Sequence, residues 1–323
     1  MLKFLKEWML PIAIAVGAFS FLLLWNVRPL TAMLEPGVSE FARNSQPALI
    51  AMMLFLQYTK ISPHDLRFRK WHFLLIAFQL GMFALLVAVA ASLPDGGTRI
   101  LVESAMLCFI CPTAAAAGVV TGKLGGSLSD TVSYVVLINM AVAVVIPVAV
   151  PIVNPLSEVS FVESFTAVCL KVFPLLVLPL LAAWAVRYLL RGLQRRLVRY
   201  AGWAFYIWGL TLALSIYLAT KALVTSGISA GLCACIGILS LVCTLVQFVF
   251  GRFAGRVCCR GSAAEAESDS ITAGQSLGQK NSGFLVWLGY SYMTPVTSVA
   301  GGLYSIWQNV INSVELYRKT RIK

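Results

Sequence analysis

SLGQKNSG, residues Ser276–Gly283, sets a lysine among glycines, amides and hydroxyls in the middle of a run that otherwise reads as membrane-spanning. A charge facing lipid there would cost several kcal/mol, so the segment has to face a cavity or other polar groups. Gly274 and Gly278 add a small-xxx-small face on which another helix can cross closely. A lysine near a helix end can snorkel to the interface, but about ten residues separate Lys280 from each end of its span.

The rest of the chain makes a membrane the frame for that segment. Of 323 residues, 59% are apolar and 12% charged, with a mean hydropathy of +0.84, whereas soluble domains are about a quarter charged. Apolar runs of roughly 17 to 25 residues match a helix crossing about 30 Å of hydrocarbon. Strand-period alternation is absent, so a β-barrel is not expected. Ten spans are expected at 8–26, 43–59, 72–93, 99–121, 129–153, 164–189, 202–220, 227–250, 269–290 and 292–314, the fourth and ninth being the least regular. The start, MLKFLKEWMLPIAIAVGAF, resembles a signal peptide in its basic end and apolar centre. Pro11 opens the run and no clear cleavage site follows, so a retained first helix is expected.

Charge sets the orientation. Nineteen basic residues fall in one set of connecting segments: Lys3, Lys6, Lys60, Arg67, Arg69, Lys70, Lys123, Arg187, Arg191, Arg195, Arg196, Arg199, Arg252, Arg256, Arg260, Arg318, Lys319, Arg321 and Lys323. The opposite set holds Arg28, Arg43, Arg99 and Lys221, while Lys171 and Lys280 lie inside spans. Both termini are therefore expected in the cytoplasm, in a plasma or bacterial inner membrane. The net charge of +12 is accounted for by this asymmetry and by anionic lipids, with no nucleic-acid signal. Cys108, Cys111, Cys169, Cys233, Cys235 and Cys243 lie in apolar runs, and Cys258 and Cys259 lie in a basic segment expected in the reducing cytosol, so no disulfide set is expected. Cys108-x-x-Cys111 is a possible redox or metal spacing, but His64 and His72 are far away in sequence and no second such pair exists, so no metal or cofactor is expected. Cys259–Ser270, CRGSAAEAESDS, reads as a flexible inner linker.

Cut near Pro155, the ten spans fall into two sets of five, 1–155 and 156–323. An odd number per half forces the second set through the membrane in the opposite sense, as in an inverted repeat, and the irregular spans then occupy the same fourth position in each half. The first irregular segment is CPTAAAAG, Cys111–Gly118. Pro112 removes a backbone donor and disfavours helix at Cys111, so the helix can open there and restart with Pro112 as a first residue; a plain proline kink in an Ala-rich helix is the simpler alternative. From Arg99 to Pro112 is about 20 Å of helix and from Asp269 to Gly278 about 14 Å, which puts both breaks near mid-membrane.

On these residues the chain resembles a known family. ALIAMMLFLQYTKISPHDLRF resembles the Met-rich helix and Asp-Phe loop of the bile acid:sodium symporters (the SBF-like superfamily). CPTAAAAG resembles their Cys-Pro-Gly-Gly-Thr-Ala-Ser-Asn crossover, SLGQKNSGF their Glu-x-Gly-x-Gln-Asn-Ser-Gly-Leu crossover, and YSIWQN, Tyr304–Asn309, their last-helix Tyr-Ser-x-Trp-x-Asn. The resemblance implies an all-α fold of ten transmembrane helices in two inverted repeats. It implies a panel of spans 1, 2, 6 and 7 beside a core of spans 3–5 and 8–10, with organic anions as cargo and sodium as driver. The departures are specific: Ala117 and Gly118 stand for the family's Ser-Asn pair, Ser276 for its sodium-binding Glu and Lys280 for a ligand Gln. In span five, Val135 and Asn139 replace a Ser and a Thr; of the ligand set only Gln79 in span three is matched.

The expected function is a secondary transporter of a small organic anion, independent of sodium, in which the Lys280 ammonium replaces the bound ion. Helix starts after Pro112 and near Gln279 would offer unpaired N–H groups to a carboxylate, with Thr113, Gln79, Asn139, Asn281 and Ser282 as polar contacts. Two alternatives stay open: a proton-coupled carrier in which Lys280 gains and loses a proton, and a membrane sensor or binding protein that moves nothing. An enzyme is not expected, because no Ser-His, Asp pair or metal cluster lies in the spans and Glu103 is the one internal acid.

Overall fold

A computed structural model of the chain describes residues 2–27, 31, 33–154 and 159–321. Pro155, where the two halves are divided above, and Arg28 and Lys323 lie outside the described residues. The helices are α1 (Leu2–Asn26), α2 (Glu35–Tyr58), α3 (Lys70–Ser92), α4 (Gly97–Ile110), α5 (Ala117–Leu124), α6 (Leu128–Val153) and α7 (Phe161–Leu189). They continue with α8 (Arg191–Tyr200), α9 (Ala204–Thr225), α10 (Ala230–Cys258), α11 (Ala263–Gly278), α12 (Ser282–Tyr292) and α13 (Ser298–Arg321). No strand occurs among the described residues; an isolated antiparallel bridge joins Thr113 and Lys280.

Among the described residues six helical stretches are long and apolar enough to cross a membrane: Trp8–Asn26, Lys70–Ser92, Leu128–Val153, Phe161–Leu189, Arg191–Thr225 and Ala230–Cys258. The distribution of side chains fits lipid rather than water as solvent. Phe19, Leu170, Ile238 and Val249 are exposed, while Gln46, Gln79, Gln247, Gln275 and Lys280 are buried. An interior that collects amides beneath a greasy exterior is the arrangement a bilayer favours, because polar groups there have only one another as partners. The chain is a helical, membrane-embedded protein.

Two helix boundaries correct the sequence reading. The insert Cys259–Ser270 is helical from Ala263: Ser262 accepts from the Glu265 N–H at 3.3 Å, and the Glu265 carboxylate accepts from the Ser262 N–H at 2.7 Å, a capping box that starts α11. The basic segment after span seven's predecessor is also helical, as α8, set off from α7 by a non-helical Leu190.

Packing follows the small residues. A Cβ on Gly17 would meet the Ala213 carbonyl and lie 2.9 Å from Ile216 Cβ, so α1 lies directly on α9. Gly251 and Gly255 let α10 run against the backbone of α11, where a Cβ on Gly251 would sit 2.6 Å from the Ala273 carbonyl. Helices α1, α2, α7 and α9 pack side by side; α10 packs on α4, α11 and α13, and α3 on α4.

Candidate functional site

Two helices, one in the first half of the chain and one in the second, stop in the protein interior and restart, and the two interruptions meet. α4 ends at Ile110, Cys111 turns extended with φ −53° and ψ 128°, and helix resumes at Ala117. α11 ends at Gly278, Gln279 is extended, and α12 resumes at Ser282. The extended segments pair antiparallel: Ala114 N donates to Gln279 O at 3.0 Å, and Asn281 N to Pro112 O at 2.9 Å. Thr113 Oγ1 adds a bond to Ser276 O at 2.5 Å, and the Cys111 thiol one to Asn281 O at 3.0 Å. Proline and a glycine-amide run open the helices, and each opened backbone satisfies the other.

This pairing changes where the helices restart. Pro112 is not a first helical residue: its carbonyl is taken by Asn281, so the chain stays extended and α5 begins five residues later at Ala117. The second restart is at Ser282, not near Gln279, with Asn281 Oδ1 accepting from Phe284 N at 3.2 Å as its cap. Most of the donors expected to be free are engaged, since Gln279 N bonds Gln275 O, Lys280 N bonds Gln308 Oε1, and Ser282 N bonds Lys280 O.

Lys280 sits at the joint with 0% of its surface exposed. Its backbone is held on both sides by Gln308, whose Oε1 accepts from Lys280 N at 2.7 Å and whose Nε2 donates to Lys280 O at 3.2 Å. Its ammonium donates to the Phe109 carbonyl at 3.4 Å, and no carboxylate pairs with it among the described residues. Cys108 and Cys111 are its ionisable neighbours; all eight cysteines are free thiols.

The other predicted residues divide between the joint and its surroundings. Gln79 is in the joint, donating to Ile110 O at 3.3 Å and Cys111 O at 3.2 Å and accepting from the Tyr134 hydroxyl at 3.0 Å. Ser282 bonds Ser305 Oγ at 3.2 Å, and Gln279 bonds Gln275. Ser276 contributes its carbonyl, while its hydroxyl is buried with no partner. Ala117 and Gly118 bring no side-chain oxygen and form the first turn of α5; a Cβ on Gly118 would lie 3.3 Å from Val132. Asn139 is not joined to either break: its amide donates to Tyr58 OH at 3.2 Å and Val135 O at 2.7 Å.

Sequence reasoning missed Gln308, Gln247 and Tyr304, which hold the joint from α10 and α13. Gln247 Nε2 reaches Cys108 O and Tyr304 OH, both at 3.2 Å, and Tyr304 donates to Gly278 O at 2.8 Å. The available signal was a lone amide in an apolar run, LVQFVF, and the polar groups of YSIWQN, a motif noted above without a role for Tyr304 or Gln308.

Ion pairs close both ends of this interior. At one end Arg99 bonds Glu103 at 3.1 Å, Asp95 at 2.7 Å and the Val153 carbonyl at 2.5 Å, while Glu103, 1% exposed, accepts from Thr294 N at 3.4 Å. At the other, Arg252 bonds Glu315 at 2.5 Å, Gln275 bonds Glu315 at 2.7 Å, and Arg69 lies 3.2 Å from Asp130 and 4.0 Å from Asp269. Lys171 stands apart, lining an open apolar groove of about 510 Å³ between α2 and α7.

These features define a membrane-embedded helical protein with a buried lysine at the joint of two interrupted helices. No protein-family model and no curated protein sequence matches the chain.

Proposed function

We propose that the chain is a secondary transporter of a small organic anion, built on the bile acid:sodium symporter plan and independent of sodium. In this reading ten spans form two inverted five-span repeats. α4–α5 and α11–α12 are the fourth span of each, and both termini are cytoplasmic. The panel is α1, α2, α7 and α9, and α3–α6 with α10–α13 form the core. The observation that carries the reading is the antiparallel joint of the two breaks with Lys280 buried inside it. Interrupted helices meeting within a membrane are the means by which transporters present backbone dipoles to cargo.

Sodium is replaced, not merely absent, in this account. Ala117 and Gly118 supply no ligand oxygen, Lys280 brings a fixed positive charge, and its ammonium takes a backbone carbonyl, Phe109 O, the kind of oxygen a sodium ion takes. The resident charge then favours an anion nearby, with the Ser282–Ser305 hydroxyl pair and the unpaired Ser276 hydroxyl as polar contacts. Proteoliposomes containing the full chain and screened with labelled carboxylates and sulfonates test the reading. Accumulation of at least one anion, unchanged when choline replaces sodium, is expected. Binding without accumulation would leave a sensor or binding protein.

A second reading, proton coupling, draws on the absence of a carboxylate paired with Lys280 among the described residues. It expects transport that varies with pH near neutrality and loses that variation in Lys280→Arg, since arginine keeps its proton.

A further inference from the structure

The ten residues of α8, RGLQRRLVRY, separate charge from grease. Arg191, Arg195 and Arg199 recur at i, i+4 and i+8 and so form one stripe, flanked by Arg196; Leu193, Leu197 and Tyr200 occupy the opposite side. In a helix packed on protein the apolar side would be covered. Here no residue of α8 is buried, and Leu193 and Tyr200 are 44% and 57% exposed. The four arginines are exposed too, and none makes an ion pair or hydrogen bond with another described residue.

The surroundings fix the depth. Tyr188, Tyr200 and Trp203, all exposed, cluster at the two ends of α8, and amphipathic aromatic rings of this kind settle at the level of lipid headgroups. The helix is also anchored, since Gln194 Nε2 donates to Thr59 O at 3.0 Å and Arg187 to the same carbonyl at 3.5 Å, tying this region to the end of α2. An uncovered apolar side, an unpaired cationic side and an aromatic frame complement one occupant: a leaflet whose acyl chains meet the leucines and whose anionic headgroups meet the guanidiniums.

We propose that α8 is an anionic-phospholipid binding helix lying in the membrane interface, with Arg191, Arg195, Arg196 and Arg199 as the phosphate-binding residues. Arginine suits this role because its planar donors grip phosphate in pairs. The inference rests on the chain being membrane-embedded and is independent of the transport reading.

The test uses the full chain in neutral detergent, titrated with phosphatidylglycerol or phosphatidylcholine of identical acyl chains, with bound lipid counted by native mass spectrometry. The wild type is expected to retain phosphatidylglycerol selectively. R191Q/R195Q/R196Q/R199Q should weaken that retention by about tenfold or more, the four Arg→Lys changes should keep most of it, and R318Q/K319Q should leave it intact. Thermal unfolding in detergent without added lipid checks that each variant folds. Equal retention of the two lipids by the wild type, or undiminished phosphatidylglycerol binding by the folded glutamine variant, overturns the proposal. So does full displacement of the lipid by matched inorganic phosphate, which would mean that the site holds only a headgroup anion. A concentration-dependent dimer lost in the glutamine variant, with no lipid preference, would assign the face to a second copy of the chain and overturn it as well.

Discussion

Replacing Lys280 by methionine separates its charge from its volume, because methionine fills nearly the same space. Two terms act on stability. Removing a fully buried charge that no carboxylate pairs with relieves a desolvation penalty, and replacing buried ions by apolar groups of similar size is neutral or stabilising by about 1–4 kcal/mol. Against this, the Phe109 carbonyl loses the ammonium at 3.4 Å, a long bond, and an unsatisfied buried acceptor costs about 1–3 kcal/mol. These oppose, so Lys280→Met should fold with a stability within about 2 kcal/mol of wild type. Lys280→Ala removes the volume as well and should cost about 2–5 kcal/mol through the cavity it leaves.

Binding should respond differently from stability. An anion roughly 6 Å from the ammonium, at an effective dielectric near 20, is attracted by about 3 kcal/mol, which is about a hundredfold in affinity. A ligand present at a hundred times its Kd stabilises the wild type by about 2.7 kcal/mol, and after a hundredfold loss by about 0.4 kcal/mol. A thermal-shift screen against carboxylates and sulfonates would therefore show a clear shift in the wild type and almost none in Lys280→Met, from an apo protein of similar stability. Lys280→Arg should keep part of the shift. A folded Lys280→Met that retains the full ligand shift would refute the argument, because the cation would then do nothing for the anion.

Anion binding measured in sodium and in choline should agree, and a tenfold tightening by sodium would end the idea that Lys280 occupies the ion's place. Ser276→Glu with Lys280→Gln restores two ligand types and should introduce some sodium dependence, limited by Ala117 and Gly118; titration of binding against sodium reads this directly. Gly278→Ala drives a Cβ into clash with the Phe248 ring and should cost about 1–3 kcal/mol by denaturation, relieved by a second change, Phe248→Leu. Glu103→Gln breaks a buried pair and should cost about 3 kcal/mol, the low end for such a loss because Arg99 keeps Asp95 and the Val153 carbonyl. At the start of α2, burial acts to raise the Glu35 carboxyl, but hydrogen bonds from Lys221 and Ser39 and the Lys221 charge outweigh it and hold it below the usual range. Its contribution is therefore complete above the ordinary carboxylate value and lost as pH falls through the lower folded value, so Lys221→Met should flatten the acid limb of the stability curve.

The two interruptions were legible because they depend on local chemistry. Pro112 forbids a helical bond and disfavours helix before it, and a lysine among glycines cannot sit in a lipid-facing helix, so both breaks could be placed within a few residues. What happens between the breaks was not legible, because it is a long-range pairing. Only when Gln279 O and Pro112 O accept from Ala114 and Asn281 does the chain remain extended past Pro112 to Ala114, turn, and spend the donors that a lone helix start would leave free. The same limit hid Gln308 and Gln247, whose partners are 28 and 139 residues away. The missed helices have a different cause. α8 and the start of α11 are too polar to register as membrane spans, and the capping box Ser262–Glu265 was read as linker composition.

The burial of Lys280 bears on how any cargo could reach it. One end of the interior is held by Arg99, Glu103 and the Thr294 backbone, which link α4 to the connection between α12 and α13. The other is held by Arg252, Glu315 and Gln275, linking α10, α13 and α11, and by Arg69 with Asp130 and Asp269, linking the segment before α3 to α6 and α11. Each set joins elements from different parts of the chain, so neither opens by a side-chain rotation alone. In the transport reading, access from either side requires one set to part while the other holds, and the cost of parting has to be offset by differential binding of cargo to the opened state. The two ends are unequal. Glu103 and Asp130 are equally buried, but the Arg99 side chain is 17% exposed, whereas those of Arg69 and Arg252 are 49% and 30% exposed and better screened by water. The Arg69–Arg252 end should therefore part more readily. A cysteine-reactive probe applied to single-cysteine variants should label Asn312→Cys on that side faster than Ser104→Cys beside Glu103, and the reverse order would show that the buried pair is the weaker closure.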